Sequence, residues 1–288
     1  MNHASVVLAR HPHVQMLLSQ STLAEVPVEF PIIDPVHDAF DDMLQTQKYD
    51  ICEMAIVAFL QAYDAGVGVK LLPFVQSGGH QHRNLYPSNS SGLTDPRDLS
   101  GRRIGVKSYS QTTGLWVRGW LSDEDGVAAE DVTWYVTERS HVAGFADPDN
   151  VHLLDLPLKQ ALEEGVVDAA ILGRTSAPAD LTPLAADYAE RDAKWFQRNH
   201  AVPINHMVLV KESVTAENPQ LVREAYAYLV DGLAQCRSED PTYRPAVRSG
   251  LDEVRPAVEL AARYAHEQGL ISTPVEDIAS LFVFGGDL

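Results

Sequence analysis

Arg102-Arg103-Ile104-Gly105-Val106-Lys107-Ser108-Tyr109-Ser110-Gln111-Thr112-Thr113-Gly114-Leu115-Trp116-Val117-Arg118 is the stretch whose reading decides the fold. Ile104 to Val106 is a short apolar strand, the next residues are a polar turn, and an amphipathic helix follows. That helix has a C-terminal stop at Gly126, after Asp123-Glu124-Asp125. Two readings of its first turn stay open. Ser110, Thr112 and Thr113 are residues that cap helices. The backbone N–H groups of the same turn point one way and suit a carboxylate or another anion. Arg118 on this helix reads as a solvated residue.

Outward from this unit, strands and helices alternate, which predicts an α/β architecture with a mainly parallel sheet. Upstream, Val6 to Ala9, Val26 to Ile33, Tyr49 to Met54 and Val69 to Val75 read as strands, the last broken by Gln76-Ser77-Gly78-Gly79. His11, Pro12 and His13 form a polar turn. Helices are expected from His37 to Thr46 and from Ala55 to Tyr63. Downstream, Val132 to Thr137 and Val167 to Leu172 are strands, and Leu181 to Gln197 is helical. Residues 138–150 are an irregular loop carrying Arg139, His141 and Phe145. After an extended segment, Val202 to Val210, three helices are expected: Asn218 to Cys236, Leu251 to Gln268 and Pro274 to Phe282. The layout implies two lobes, 1–79 with 205–288 and 80–204, with the C-terminal helices in the first. Ligands would lie in a cleft between them, at strand ends and helix N-termini.

The 288 residues carry a formal charge of −18, with no basic stripe to offset it. Nucleic acid is therefore excluded as a partner, and an anionic membrane is disfavoured. Cys52 and Cys236 are the only cysteines, so no disulfide framework exists. Met1 to Leu18 lacks the pattern of a secretory leader, and no run is long enough to span a membrane. A cytoplasmic location is the expectation; a homo-oligomer stays open.

Several residue groups carry chemistry. His80-x-His82 puts two imidazoles on one face of an extended segment, and with His206 and Glu53 they could hold zinc or manganese. The spacing is common by chance, so a divalent metal is the less favoured reading. Glu53 lies where a buried strand meets a helix, either capping that helix or standing in a cleft with a shifted pKa. His206 interrupts an apolar strand, where a histidine is more often structural than catalytic. Arg83, Arg118 and Arg174 are candidate partners for a carboxylate, since guanidinium presents a planar fork of donors, with the solvated reading preferred for Arg118. Dinucleotide, phosphate-loop, nucleophile-elbow, zinc-protease and Cys-x-x-Cys motifs are all missing.

The run from Arg103 to Gly119, centred on Gln111-Thr112-Thr113-Gly114, resembles the signature of 4,5-dihydroxyphthalate decarboxylases. Tyr49-Asp50-Ile51-Cys52-Glu53-Met54-Ala55, Asp131-Val132-Thr133-Trp134 and the segment from Thr137-Glu138 to His141-Val142 fit the same pattern. The sequence departs from it at residues 76–92. The resemblance implies a two-lobed type 2 periplasmic-binding-protein-like fold with a helical C-terminal segment. It also implies non-oxidative loss of carbon dioxide from a hydroxylated aromatic carboxylate, without an organic cofactor. The substrate would be a small anionic aromatic carboxylate held by Tyr109, Gln111, Thr112, Thr113, His80, Arg83 and Arg174. His82 or His206 would supply the proton, with Glu53 orienting a histidine or accepting a phenolic proton. The alternative is a solute-binding protein that captures such an anion without turning it over.

Overall fold

A computed structural model describes residues 3–140, 142, 144–173 and 181–287. Arg174 and His141 lie outside the described residues. In chain order the strands and helices are β1 (Ala4–Val7), α1 (Gln15–Leu18), β2 (Thr22–Leu23), β3 (Val26–Glu29), α2 (Phe40–Thr46), β4 (Ile51–Ala55), α3 (Ile56–Asp64) and β5 (Val69–Gly78). There follow β6 (Leu85–Pro87), β7 (Arg103–Val106), α4 (Thr112–Asp125), β8 (Thr133–Val136), β9 (Val151–Leu153), α5 (Leu158–Glu163), β10 (Ala169–Ile171) and α6 (Tyr188–Asn199). The chain ends through β11 (Ile204–Lys211), α7 (Glu212–Glu217), α8 (Pro219–Glu239) and α9 (Leu251–Glu267).

The chain forms two compact units. The first comprises 1–79, 204–259 and 275–288, the second 80–203 and 260–274. The boundaries expected from sequence differ at 260–274, which packs with the second unit rather than the first. The cause is local: Tyr264 lies where a Cβ on Gly119 would come within 2.4 Å of its ring, and its hydroxyl donates to Asp123 at 2.6 Å. Gln268 adds a bond from Nε2 to the Leu115 carbonyl at 3.0 Å.

The first unit is built on a six-stranded mixed sheet in the order β2-β3-β1-β4-β11-β5. β1 is parallel to β3 and β4, whereas β11 runs antiparallel to β4 and β5. Its central strands β1, β4, β11 and β5 are mostly buried on both faces, whereas β2 and β3 alternate toward solvent. One face meets the stripe Leu221, Val222, Ala225, Leu229 and Leu233 of α8, whose spacing of three and four residues keeps it on one side of the helix. Burial of each such leucine stabilises by roughly 1.5–3 kcal/mol. β5 does not stop at Gln76: it continues to Gly78 because β11 keeps pairing with it as far as Ile204 opposite Gly78. The register slips between Ile204 and Val208, and such an irregularity re-aims side chains at the point where it occurs.

The second unit holds a five-stranded sheet, β6-β10-β7-β8-β9, parallel except for the β10–β6 pair. β7 lies in its centre and feeds α4, which ends in left-handed Gly126 at φ 69°, so both ends expected of that helix are found. Two expected helices are shorter. α6 begins only at Tyr188, and in place of a helix from Pro274 to Phe282 there is a 3-10 turn at Ile278–Leu281, capped by the Asp277 carboxylate. Among the described residues no helix is long and apolar enough to cross a membrane.

Candidate active site

The first unit gathers a histidine–carboxylate cluster where β1 ends. Glu53 sits in β4, 1% exposed. It caps nothing: α3 begins after Ala55 without a side-chain cap. Its Oε2 accepts the Ala9 backbone N–H at 2.9 Å, and its Oε1 lies 2.7 Å from His206 Nδ1. Burial would raise this carboxyl, but the hydrogen bond and charge of His206, the Ala9 amide and His11 outweigh it, so Glu53 is held below the ordinary range. An ionised carboxylate only accepts, so Nδ1 of His206 must donate. That leaves Nε2 as the atom able to exchange a proton. His206 stands in the slipped register of β11, 27% exposed, with Phe40 edge-on to its ring at 5.6 Å.

His11 and His13 stack at 5.3 Å in the turn that follows β1. His13 is fully buried, with Nε2 2.7 Å from Gln76 Oε1 and Nδ1 3.0 Å from the Tyr243 hydroxyl. Burial, against the Gln76 bond and together with the charges of His11 and Arg244, lowers it to about 4. It is a neutral strut at neutral pH. His11 is lowered as well, first by burial and then by Arg244. Neighbouring Cys52 is buried, and burial raises its thiol, which excludes it as a thiolate nucleophile. Gly232 of α8 brings that helix against the turn, since a Cβ there would lie 2.3 Å from the His13 carbonyl oxygen.

In the second unit the expected residues divide into two places. The first turn of α4 carries no side-chain cap and no acidic residue. Ser108 and Ser110 bond to each other at 3.0 Å, and Thr112 Oγ1 is buried without a hydrogen-bond partner. Capping by hydroxyls therefore does not occur there, and the donors of the turn stay open. Tyr109 is buried, its hydroxyl spent on the Gln268 carbonyl at 3.0 Å. Arg118, expected in solvent, is 1% exposed instead. It donates from Nε to Gln268 Oε1 at 2.6 Å and from Nη2 to the Tyr109 carbonyl at 2.7 Å, under the Tyr109 ring at 4.1 Å. Burial lowers it to about 10, against the opposing influence of Tyr109 and the Asp147 charge.

His82 lies at the other end of the same helix. Its Nδ1 is 2.6 Å from Asp192 Oδ1 and its Nε2 3.3 Å from Glu124 Oε2, with the Trp120 ring against it at 4.9 Å. Glu124 comes twelve residues after Thr112, roughly 18 Å along the axis at about 1.5 Å per residue. A proton on His82 thus cannot serve a carboxylate held by Thr112 and Thr113 while the helix is intact. His80 packs edge-on against Trp195 at 6.2 Å, and Arg83 lies over Tyr188 at 5.6 Å. Gln111 is half-buried at the N-cap of α4. Among the described residues no group of three or more His, Cys, Asp or Glu is arranged to hold a metal ion.

Sequence reasoning missed His11, His13, Gln76, Tyr243 and Arg244. The signal for the first two was present, a His-x-His turn directly after the first buried strand, where α/β proteins place ligands.

No family model matches the chain. Two curated relatives are both described as 4,5-dihydroxyphthalate decarboxylase. That of Comamonas testosteroni is 27% identical over 226 residues, 69% of this chain and 67% of its own length. That of Pseudomonas putida is 31% identical over 119 residues, 39% of this chain and 46% of its own. The expected resemblance is thus real. Among solved structures, the periplasmic aliphatic sulphonate binding protein SsuA from Escherichia coli matches with TM-score 0.58 at 13% identity, covering 98% of both chains. The alkanesulfonate-binding protein SsuA from Xanthomonas axonopodis pv. citri matches at 0.55, 15% identical, over 96% of each. Desulfurization enzyme DSZB matches at 0.53, 15% identical, over 95% of each. The fold is of the periplasmic-binding-protein type.

Proposed function

We propose that this protein is a non-oxidative decarboxylase of a hydroxylated aromatic carboxylate, with 4,5-dihydroxyphthalate or a close analogue as substrate. The observation that carries the reading is the pair of Glu53 with His206: a buried, ionised carboxylate 2.7 Å from Nδ1 of a histidine whose Nε2 is left for chemistry. The names of the two relatives supply the reaction class.

Loss of carbon dioxide from an aromatic ring requires a proton on the carbon that bears the carboxylate. In 4,5-dihydroxyphthalate each carboxylate-bearing carbon has a hydroxyl para to it, whose lone pair spreads the positive charge of the protonated ring. His206 as imidazolium delivers the proton from Nε2. The C–C bond electrons then return to the ring as carbon dioxide departs, and solvent reprotonates His206. Glu53 holds the imidazole's orientation and balances its charge, as a carboxylate does beside a catalytic histidine. It is not the acceptor of a phenolic proton, because both of its oxygens are already engaged. Of the two histidines open as proton donors, the reading thus takes His206. His82 serves the stability of the second unit.

The rival reading is a solute-binding protein for an aromatic carboxylate, favoured by the sulfonate-binding proteins among the fold's neighbours. Incubation with 4,5-dihydroxyphthalate separates the two. A decarboxylase releases one carbon dioxide per 3,4-dihydroxybenzoate formed; binding without product overturns the proposal in favour of its rival.

A further inference from the structure

Arg118 is a buried cation that the chemistry above leaves unused. It is 1% exposed, and among the described residues it makes no ion pair. Nε donates to the Gln268 amide oxygen at 2.6 Å and Nη2 to the Tyr109 carbonyl at 2.7 Å, both neutral acceptors. The Tyr109 and Trp134 rings, 4.1 and 5.2 Å from the guanidinium carbon, replace part of its lost hydration. The carboxylate whose charge reaches it, Asp147, is itself held by Arg139 at 3.0 Å. Burying a guanidinium in this way is costly unless an opposite charge answers it.

The third nitrogen shows where that charge belongs. Nη1 is buried and has no hydrogen-bond partner. It lies against the first turn of α4, so close that a Cβ on Gly114 would stand 3.0 Å from it. Gly114 is the third residue of a 14-residue helix whose first turn holds no acidic residue and whose N-cap, Gln111, makes no side-chain cap bond. Thr112 Oγ1, in the same turn, is buried and equally without a partner. Two side-chain donors, one of them charged, thus stand at a helix end whose own amides favour negative charge.

We infer that Arg118 is the buried counter-charge of an oxyanion held at the first turn of α4, with Nη1 and Thr112 Oγ1 as its side-chain donors. Because Nε and Nη2 are committed, Arg118 offers one nitrogen rather than the planar two-nitrogen fork. The site therefore answers to charge and to single oxygens, and an inorganic oxyanion is a sufficient ligand. All of these residues lie in the second unit, so the inference stands apart from the proton transfer assigned to His206.

The test is calorimetric binding of inorganic sulfate to the full-length protein, against chloride at equal ionic strength. The wild type is expected to bind sulfate. Arg118→Met, which keeps an unbranched buried side chain without the charge, is expected to weaken it by about tenfold or more. That variant also loses the bonds to Gln268 and Tyr109, so Gly114→Ala supplies a second arm. Alanine suits a helix better than glycine, which preserves the fold, while its methyl meets Nη1. Sulfate binding should fall by about fivefold or more in Gly114→Ala, and by less than about twofold when the same change is made on Arg118→Met, because the obstructed nitrogen is then gone. A wild type that binds no sulfate, an Arg118→Met variant that binds it as the wild type does, an unchanged affinity in Gly114→Ala, or an equal loss from Gly114→Ala in both backgrounds overturns the inference. Arg118-dependent sulfate binding in a protein that releases no carbon dioxide from 4,5-dihydroxyphthalate refutes the decarboxylase and leaves this inference standing.

Discussion

At the scale of the residue, two histidines with similar partners stand in different surroundings. His206 has one ring nitrogen on a carboxylate, and its side chain is 27% exposed. His82 is 2% exposed, with a carboxylate on each nitrogen. Burial alone would lower His82, but Asp192 and Glu124 outweigh it, so it is raised above the ordinary histidine range. Arg198 lies 2.6 Å from Glu124, Arg191 3.5 Å from it, and His80 is close enough for its own proton affinity to feel His82. A histidine whose folded value is raised binds more protons folded than unfolded, so its stabilisation is full below about pH 6.5 and fades as pH rises through the raised value. The melting temperature of the wild type minus that of His82→Gln should therefore be largest near pH 6 and shrink toward pH 9. A difference independent of pH over that range contradicts the role given to His82.

At the scale of the element, the His11–His13 turn owes its position to a helix that lies far from it in sequence. α8 presents Gly232 to the His13 carbonyl with room for no Cβ. Alanine is intrinsically better in a helix than glycine by roughly 1 kcal/mol, so an unobstructed Gly232→Ala would stabilise. Here the added methyl meets backbone rather than the yielding end of a side chain, and overpacking of that kind costs about 1–3 kcal/mol. A lowered melting temperature is expected, together with weakened phthalate binding as the turn is displaced; an unchanged or raised one would show that the turn yields freely. α4 was the opposite case. Its strand, its start at Thr112 and its stop at Gly126 were all legible, because strand, turn and glycine signals are local. What local signals could not reveal was that Arg118 turns inward onto Tyr109 and Gln268, a contact across 150 residues of chain. The same holds for Glu53 and His206: both were legible as candidates, grouped with His80 and His82, but their hydrogen-bonded pairing needed β11 to lie antiparallel beside β4.

At the scale of the whole molecule, a chain with charge −18 can take a dianionic ligand only where local donors are concentrated. Those described here are the open first turn of α4 in one unit and the histidines around Glu53 in the other. The division into two units was readable from the alternation of strands and helices and from the change to long helices after residue 211. The return of 260–274 to the second unit was not, because it depends on Tyr264 fitting against Gly119, which no periodicity encodes. The central claim is that His206 delivers a proton to the ring carbon that loses its carboxylate. The most direct measurement is turnover of 4,5-dihydroxyphthalate in D2O, with the 3,4-dihydroxybenzoate read by NMR and mass. The wild type should place one deuterium at the vacated ring position for each carbon dioxide released. His206→Ala, still folded by circular dichroism and still binding phthalate, should be slower by about 10²–10⁴-fold, the usual contribution of a positioned general acid. Turnover by His206→Ala at the wild-type rate would contradict the claim.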